Sequence, residues 1–306
     1  MSRRLCVWDH PSFGAHDPGP GHPERGARHD AARRALSGLD VDWLIAPRGD
    51  GDLAATVHDR RFVDDVLASE GRSVAFDPDT HTSPDTVDAA LRAIGAAAAA
   101  ADLLDRGVPS FVLARPPGHH ATRDRAMGFC VFNHAAVAAE RLARAGHRVV
   151  VFDPDAHHGN GTQDIFWERG DVLYASMHRF PFYPGTGAAS ERGAGPGLGA
   201  TCNAPLRAGA GDAAYQAAFE RIILPAVRAF APDRVVISAG FDALDGDPLG
   251  GMALTAPALA AMVRAFAERW PTMAVLEGGY DLSRITEGVA ATAAALIAAP
   301  RADPEA

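Results

Sequence analysis

The sequence predicts a single α/β domain with a mostly parallel β-sheet covered by helices on both faces. Short apolar runs alternate with helical stretches of ten or more residues, the pattern of strand–crossover–strand units. Runs such as VVVF and RVVIS are apolar throughout, as strands buried on both faces are. A chain of 306 residues with 47% hydrophobic content can bury a sizeable core, and no composition break or internal repeat marks a linker.

In chain order, residues 4–8 are the first strand, followed by a Gly-, Pro- and His-rich loop, HPSFGAHDPGPGHPERGAR. A helix over 27–36 and a second helical stretch over 53–67 come next. The first long helix is expected over 84–106, with Ser83 as N-cap, Pro84 at the first helical position and Gly107 as its stop. The alternation then becomes regular. Strands over 110–114, 148–152, 172–177, 234–239 and 273–276 are separated by helices over 135–145, near 163–169, over 213–230 and over 256–269. A Gly/Pro-rich excursion occupies 180–211, and a helix over 283–298 closes the domain, 1–300. The tail 301–306, RADPEA, is expected to be disordered.

Composition excludes some functions. A net charge of −9 argues against a nucleic-acid partner and suits a cationic substrate. All 29 Lys/Arg positions are arginine, the pattern expected of an arginine- and alanine-favouring genome, and the composition points to a bacterial source as an expectation. Cys6, Cys130 and Cys202 have neither disulfide-framework nor zinc-knuckle spacing. No apolar run approaches the ~18 residues of a membrane span, and no apolar segment follows Arg3 and Arg4 as in a secretory signal. The expectation is a soluble cytoplasmic protein with no membrane partner; its oligomeric state is not legible.

The chemistry collects where strands end. Residues 149–162, VVVFDPDAHHGNGT, deliver Asp153, Asp155, His157 and His158 directly after an apolar strand. Side chains two residues apart on an extended segment share a face, so Asp155 and His157 can point at one atom. Carboxylate oxygen and imidazole nitrogen are zinc ligands. Three other strands end in FVLARPPGHH, RVVISAGFDALDGDP and MAVLEGGYD. In an open parallel sheet these ends share one side, where ligands bind. Asp242 then completes an Asp/His/Asp set with open positions, the format of a catalytic zinc. Two carboxylates already offset the ion's charge, so a separate general base is needed, and His119 and His120 supply it. Asp153 and Asn160 are placed to hold those imidazoles. Tyr280, after Gly278 and Gly279, is a candidate hydrogen-bond donor to a developing oxyanion.

RPPGHH, DPDAHHGNGTQ, SMHRFPFYPGTG, SAGFDALDGDPLGG and LEGGYD together resemble the zinc-dependent histone deacetylase superfamily, most closely its class II and bacterial deacetylase-like amidohydrolases. The resemblance runs from the HPE loop near residue 22 to Tyr280. It implies the arginase/deacetylase fold and hydrolysis of an acylated amine. By position it implies zinc on Asp155, His157 and Asp242, His120 as general base and acid, and His119 as an electrostatic or proton-shuttling partner. Tyr280 would polarise the acyl carbonyl. Gly128, Phe129, Tyr183 and Leu249 would line a narrow acyl-lysine channel. A structural potassium ion would lie against the Asp153 and Ser176 side chains and the carbonyls of Asp155, His157 and Met177.

The sequence also departs from the family pattern. Pro154 and Ala156 replace bulkier residues, Asn160 stands where class I members carry an acid, and Gly26 replaces a proline near Arg28. An arginase-like pair of manganese ions would need carboxylates where Gly159 and Leu244 stand. The known eukaryotic polyamine-selective members carry a glutamate at the position of Leu249, which favours an acyl-lysine peptide or protein as substrate, while bacterial polyamine enzymes can place acids elsewhere. The alternatives are an acetylpolyamine or other small acylamide, and a catalytically silent acyl-lysine binder, which the intact ligand set and Tyr280 disfavour.

Overall fold

The computed structural model describes residues 4–299, so the tail 301–306 lies outside the described residues. In chain order the elements are β1 (Leu5–Asp9), α1 (Pro11–Ala15), α2 (Ala27–Leu36), β2 (Val41–Ile45), α3 (Gly51–Ala54), α4 (Arg60–Leu67) and α5 (Thr86–Asp105). They continue with β3 (Ser110–Val112), α6 (His134–Arg144), β4 (Val149–Asp153), α7 (Asn160–Phe166), β5 (Val172–Arg179) and β6 (Thr201–Leu206). The last are α8 (Asp212–Ala218), α9 (Leu224–Phe230), β7 (Arg234–Ala239), α10 (Ala256–Ala267), β8 (Thr272–Leu276) and α11 (Leu282–Ala298).

The eight strands form one sheet in the order β2-β1-β3-β8-β7-β4-β5-β6, and every pair is parallel. Alternate residues of each strand feed two cores. Val150, Phe152, Val235 and Ile237 face one layer with α2, α10 and α11; Val149, Val151 and Val236 face the other with α5 and α6. The domain is therefore α/β with both sheet faces covered, as the apolar runs predict.

Strand order positions the site. From β4 the chain moves outward through β5 to β6; it then returns to β7 and moves the opposite way to β8. The reversal lies between β4 and β7, which are neighbours in register from Val149–Arg234 to Phe152–Ile237. A crevice opens at such a switch point beyond the carboxyl ends of the strands.

Several elements differ from expectation, and α1 and β2 were not expected at all. The long helix starts at Thr86 rather than at Pro84, because Thr86 Oγ1 accepts from Ser83 N at 2.7 Å and closes a turn ahead of it. Gly107, at φ +69°, ends it as expected. The 53–67 stretch divides into α3 and α4. The helix expected over 213–230 contains a π-helical turn, Phe219–Ile223, between α8 and α9. Pro225 lies just beyond it; proline cannot donate and crowds the preceding turn, and a wider turn accommodates it. The 180–211 excursion contains β6, which with β2 forms the sheet edges.

Candidate active site

β4 and β7 place the first three side chains. Asp155 and His157 follow the end of β4, and Asp242 follows the end of β7. His157 Nδ1 lies 3.2 Å from Asp155 Oδ1 and 3.0 Å from Asp242 Oδ2. Both carboxylates are fully buried, while the His157 side chain is 12% exposed, so the cluster is reachable from one side. The donor atoms all lie within 4.8 Å of one another. The turn after β8 closes round them: Gly278 N donates to Asp155 Oδ2 at 3.0 Å, and a Cβ at Gly278 would strike both carboxylates.

The electrostatics are those of a cation site. Burial pushes the Asp242 carboxyl up to about 7, and the charge of Asp155 adds to it. Burial opposes ionisation of Asp155 too, yet His119 and His157 outweigh it and hold that carboxyl far below its usual range. Burial alone would lower His157, but Asp242 and Asp155 raise it to about 10. A proton on Nδ1 thus occupies the point where three ligand atoms meet, and a divalent cation would compete for it. Two carboxylates and an imidazole fit one zinc ion. The carboxylate positions an arginase-like second ion would need are glycine and leucine.

The loop after β3 brings the paired histidines to the same place. His119 Nδ1 is 3.0 Å from Asp153 Oδ2, and His120 Nδ1 is 2.8 Å from Asn160 Oδ1. The two rings are 4.0 Å apart between centroids. Burial would lower His119, but Asp155 and Asp153 overcome it and hold the imidazole well above its ordinary value. Burial lowers His120 well below its ordinary value, and positive charge on His119 and His157 adds to the effect. One histidine is therefore held protonated and its neighbour neutral. Tyr174 from β5 supports Asp153, donating to Oδ2 at 3.1 Å, and accepts from Gly159 N at 2.9 Å.

Tyr280 follows β8. Burial, then the charge of Asp242, raises its hydroxyl well above the ordinary value, so it stays protonated. The Arg28 guanidinium lies 5.2 Å from the Tyr280 ring centroid and donates to the Gly279 and Glu277 carbonyls. Arg28 is itself paired with buried Glu24, which also holds Arg115. The Glu277 carboxylate accepts from Gly118 N, His119 N and Ser238 Oγ, tying β8, β7 and the histidine loop together. A second group of ligand-type residues, His119, Cys130 and Glu277, thus has its carboxylate already engaged.

The expected channel residues flank the cluster. Gly128 and Phe129 have φ of +57° and +68°, and a Cβ at Gly128 would strike the His120 ring, which explains the glycine. Phe129 lies edge-on to Tyr280 at 5.8 Å, and Tyr183 edge-on to His120 at 5.2 Å. Leu249 N donates to Asp247 Oδ1 at 2.9 Å, while Asp247 Oδ2 accepts from Tyr280 N at 2.6 Å. Asp153 sits opposite Ser176 in the β4–β5 register, and Ser176 Oγ meets His178 Nδ1 at 2.8 Å. Sequence reasoning missed Phe182, which stacks on His157 at 5.2 Å with the Arg179 guanidinium 3.8 Å from its centroid. It also missed Asp247, which joins the Leu249 turn to the Tyr280 turn; its only signal was the GDP tripeptide.

Fold and site define a doubly wound α/β protein with a buried Asp/His/Asp cluster beside paired histidines at the switch point of its sheet. The chain belongs to the histone deacetylase family: the profile described as Histone deacetylase domain matches residues 22–296. It is 43% identical over 251 residues to histone deacetylase 15 of Arabidopsis thaliana, covering 79% of this chain and 46% of that protein, so it spans about half the relative's length. It is 40% identical over 262 residues to the acetylpolyamine amidohydrolase of Burkholderia pseudomallei, covering 82% of this chain and 76% of that one. Among solved structures, that of the HDA15 HD domain superposes with a TM-score of 0.93 at 37% identity, covering 96% of this chain and 91% of that one. No helix of the described residues is long and apolar enough to cross a membrane.

Proposed function

We propose that the chain hydrolyses N-acyl amides, acetyl-lysine side chains foremost, with one zinc ion held by Asp155, His157 and Asp242. The observation that carries the reading is their convergence on one buried point beside two histidines whose Nδ1 atoms are each engaged. Zinc bound there would polarise the acyl carbonyl and acidify water, less strongly than at a tris-histidine centre. His120 is the general base. Asn160 holds its Nδ1, and burial among positive neighbours keeps Nε2 free to take a proton from the attacking water. His119, oriented by Asp153, contributes charge, and a protonated histidine of the pair returns the proton to the leaving amine. Tyr280 donates to the developing oxyanion, a contribution of about 2.7–4 kcal/mol for such donors. Gly128, Phe129, Tyr183 and Leu249 bound the channel. A structural potassium ion would lie by Asp153 and Ser176 with the carbonyls of Asp155, His157 and Met177, and cytoplasmic location is part of the same reading.

An acylated polyamine is the second reading. Burial raises the Tyr183 hydroxyl and the charges of Asp79 and Asp77 add to it, so two carboxylates lie near a channel residue and would attract a cationic amine. The deciding measurement is kcat/KM of the zinc-loaded protein on an acetyl-lysine peptide and on N-acetylputrescine. We expect the peptide to be preferred and Tyr280→Phe to lower kcat about 10²–10³-fold. Preference for N-acetylputrescine transfers the assignment to the second reading, and turnover of neither overturns both.

A further inference from the structure

Phe182 and Tyr183 reach the site from a segment, 180–187, that belongs to no helix or strand. Its position is nonetheless set by hydrogen bonds on the side away from the crevice. The Glu191 carboxylate accepts from Gly187 N at 3.0 and 3.1 Å, from Ala188 N at 3.0 Å and from Gln163 Nε2 at 2.7 Å. Gln163 is buried on α7, and its Oε1 accepts from Asn203 Nδ2 of β6 at 2.8 Å and faces His158 Nε2 at 3.1 Å. His158 Nδ1 in turn meets Thr186 Oγ1 at 2.8 Å, and His178 Nε2 donates to the Gly187 carbonyl at 2.9 Å. Hydrogen bonds to an ionised acceptor are about twice as strong as neutral ones. Burial would raise the Glu191 carboxyl, but these donors outweigh it and keep it ionised.

We propose that Glu191 is a positioning residue for the hydrolysis: it fixes residues 182–187, so that Phe182 stays stacked on His157 and Tyr183 edge-on to His120, and thereby sets substrate affinity. The affinity part rests on the proposed function; the fixing of the segment does not. Glutamine at 191 keeps one acceptor oxygen but presents an NH2 group to donors that the second carboxylate oxygen accepts from, Gln163 Nε2 among them, so it restores only part of the arrangement.

The test uses the full chain with Glu191→Ala and Glu191→Gln. Hydrogen exchange at 182–188 should quicken at least about tenfold in the alanine variant, less in the glutamine variant, with β4 and β7 unaffected. KM for the acetyl-lysine peptide should rise about tenfold in Glu191→Ala while kcat stays within about twofold. Unchanged exchange overturns the proposal, as does faster exchange with unchanged KM. Faster exchange throughout the sheet would reduce Glu191 to a fold-stabilising residue and overturn it too. If the wild type hydrolyses no amide, the proposed function fails, while exchange at 182–188 still decides whether Glu191 fixes the segment.

Discussion

At the scale of single residues, Asp242 divides its two oxygens between a backbone hydrogen bond and the proposed metal site. Oδ1 accepts from Ala156 N at 2.7 Å, and Oδ2 faces His157. Asparagine can keep the first interaction but offers no charge for the second. We therefore expect Asp242→Asn to fold with an unchanged circular dichroism spectrum yet to retain less than about a tenth of the wild-type zinc after dialysis, measured by elemental analysis. Gly278→Ala should lose zinc as well, because its methyl group would press on both carboxylates. Asp155, His157, Asp242 and the histidines were legible in the sequence because each stands at a fixed offset from an apolar strand. Phe182, Asp247 and Glu191 were not, since they stand on irregular loops whose paths follow no hydrophobic period.

Among the elements, the strands with buried faces on both sides announced themselves and the edge strands did not. β2, VDWLI, leaves Trp43 and Ile45 exposed, so its pattern fits neither a buried nor a half-buried strand. β6 carries Asn203 and Pro205, residues a central strand excludes but an edge tolerates. The site hangs instead on β4, whose Phe152 packs against Phe266 at 4.9 Å and Phe219 at 5.8 Å. Phe152→Ala should cost about 3–5 kcal/mol in urea unfolding, through lost burial and the cavity left behind. A cost below about 1 kcal/mol would mean that the layer between β4 and α10 closes over the gap.

At the scale of the whole molecule, several histidines lie buried in neutral form. His58 donates from Nδ1 to the Thr122 carbonyl and accepts from Asn133 N at Nε2, so a second proton would break that hydrogen bond. Burial lowers it to about 4, and burial likewise lowers His178 to about 4. Unfolded, both would titrate near 6.5. Between those values the unfolded chain binds more protons, so stability is full above pH 6.5 and is lost as pH falls towards 4. Each histidine should remove about 2 kcal/mol between pH 7 and 5, read from urea unfolding at the two pH values. Asp242, whose carboxyl is raised, acts on the same profile in the opposite sense, so the His58 share is read as the difference between wild type and His58→Gln; a difference that does not change with pH would show that His58 is not neutral in the native state. The sheet order has a different consequence, for synthesis. β7 and β8 join the β2–β1–β3 half to the β4–β5–β6 half. A nascent chain interrupted before residue 234 thus carries two unjoined sheets with open inner edges, while Arg28 still lacks the Glu277 and Gly279 carbonyls that it meets in the finished fold. Asp155 and His157 are made long before Asp242 and Tyr280, so no fragment that stops short of residue 280 brings these four side chains together.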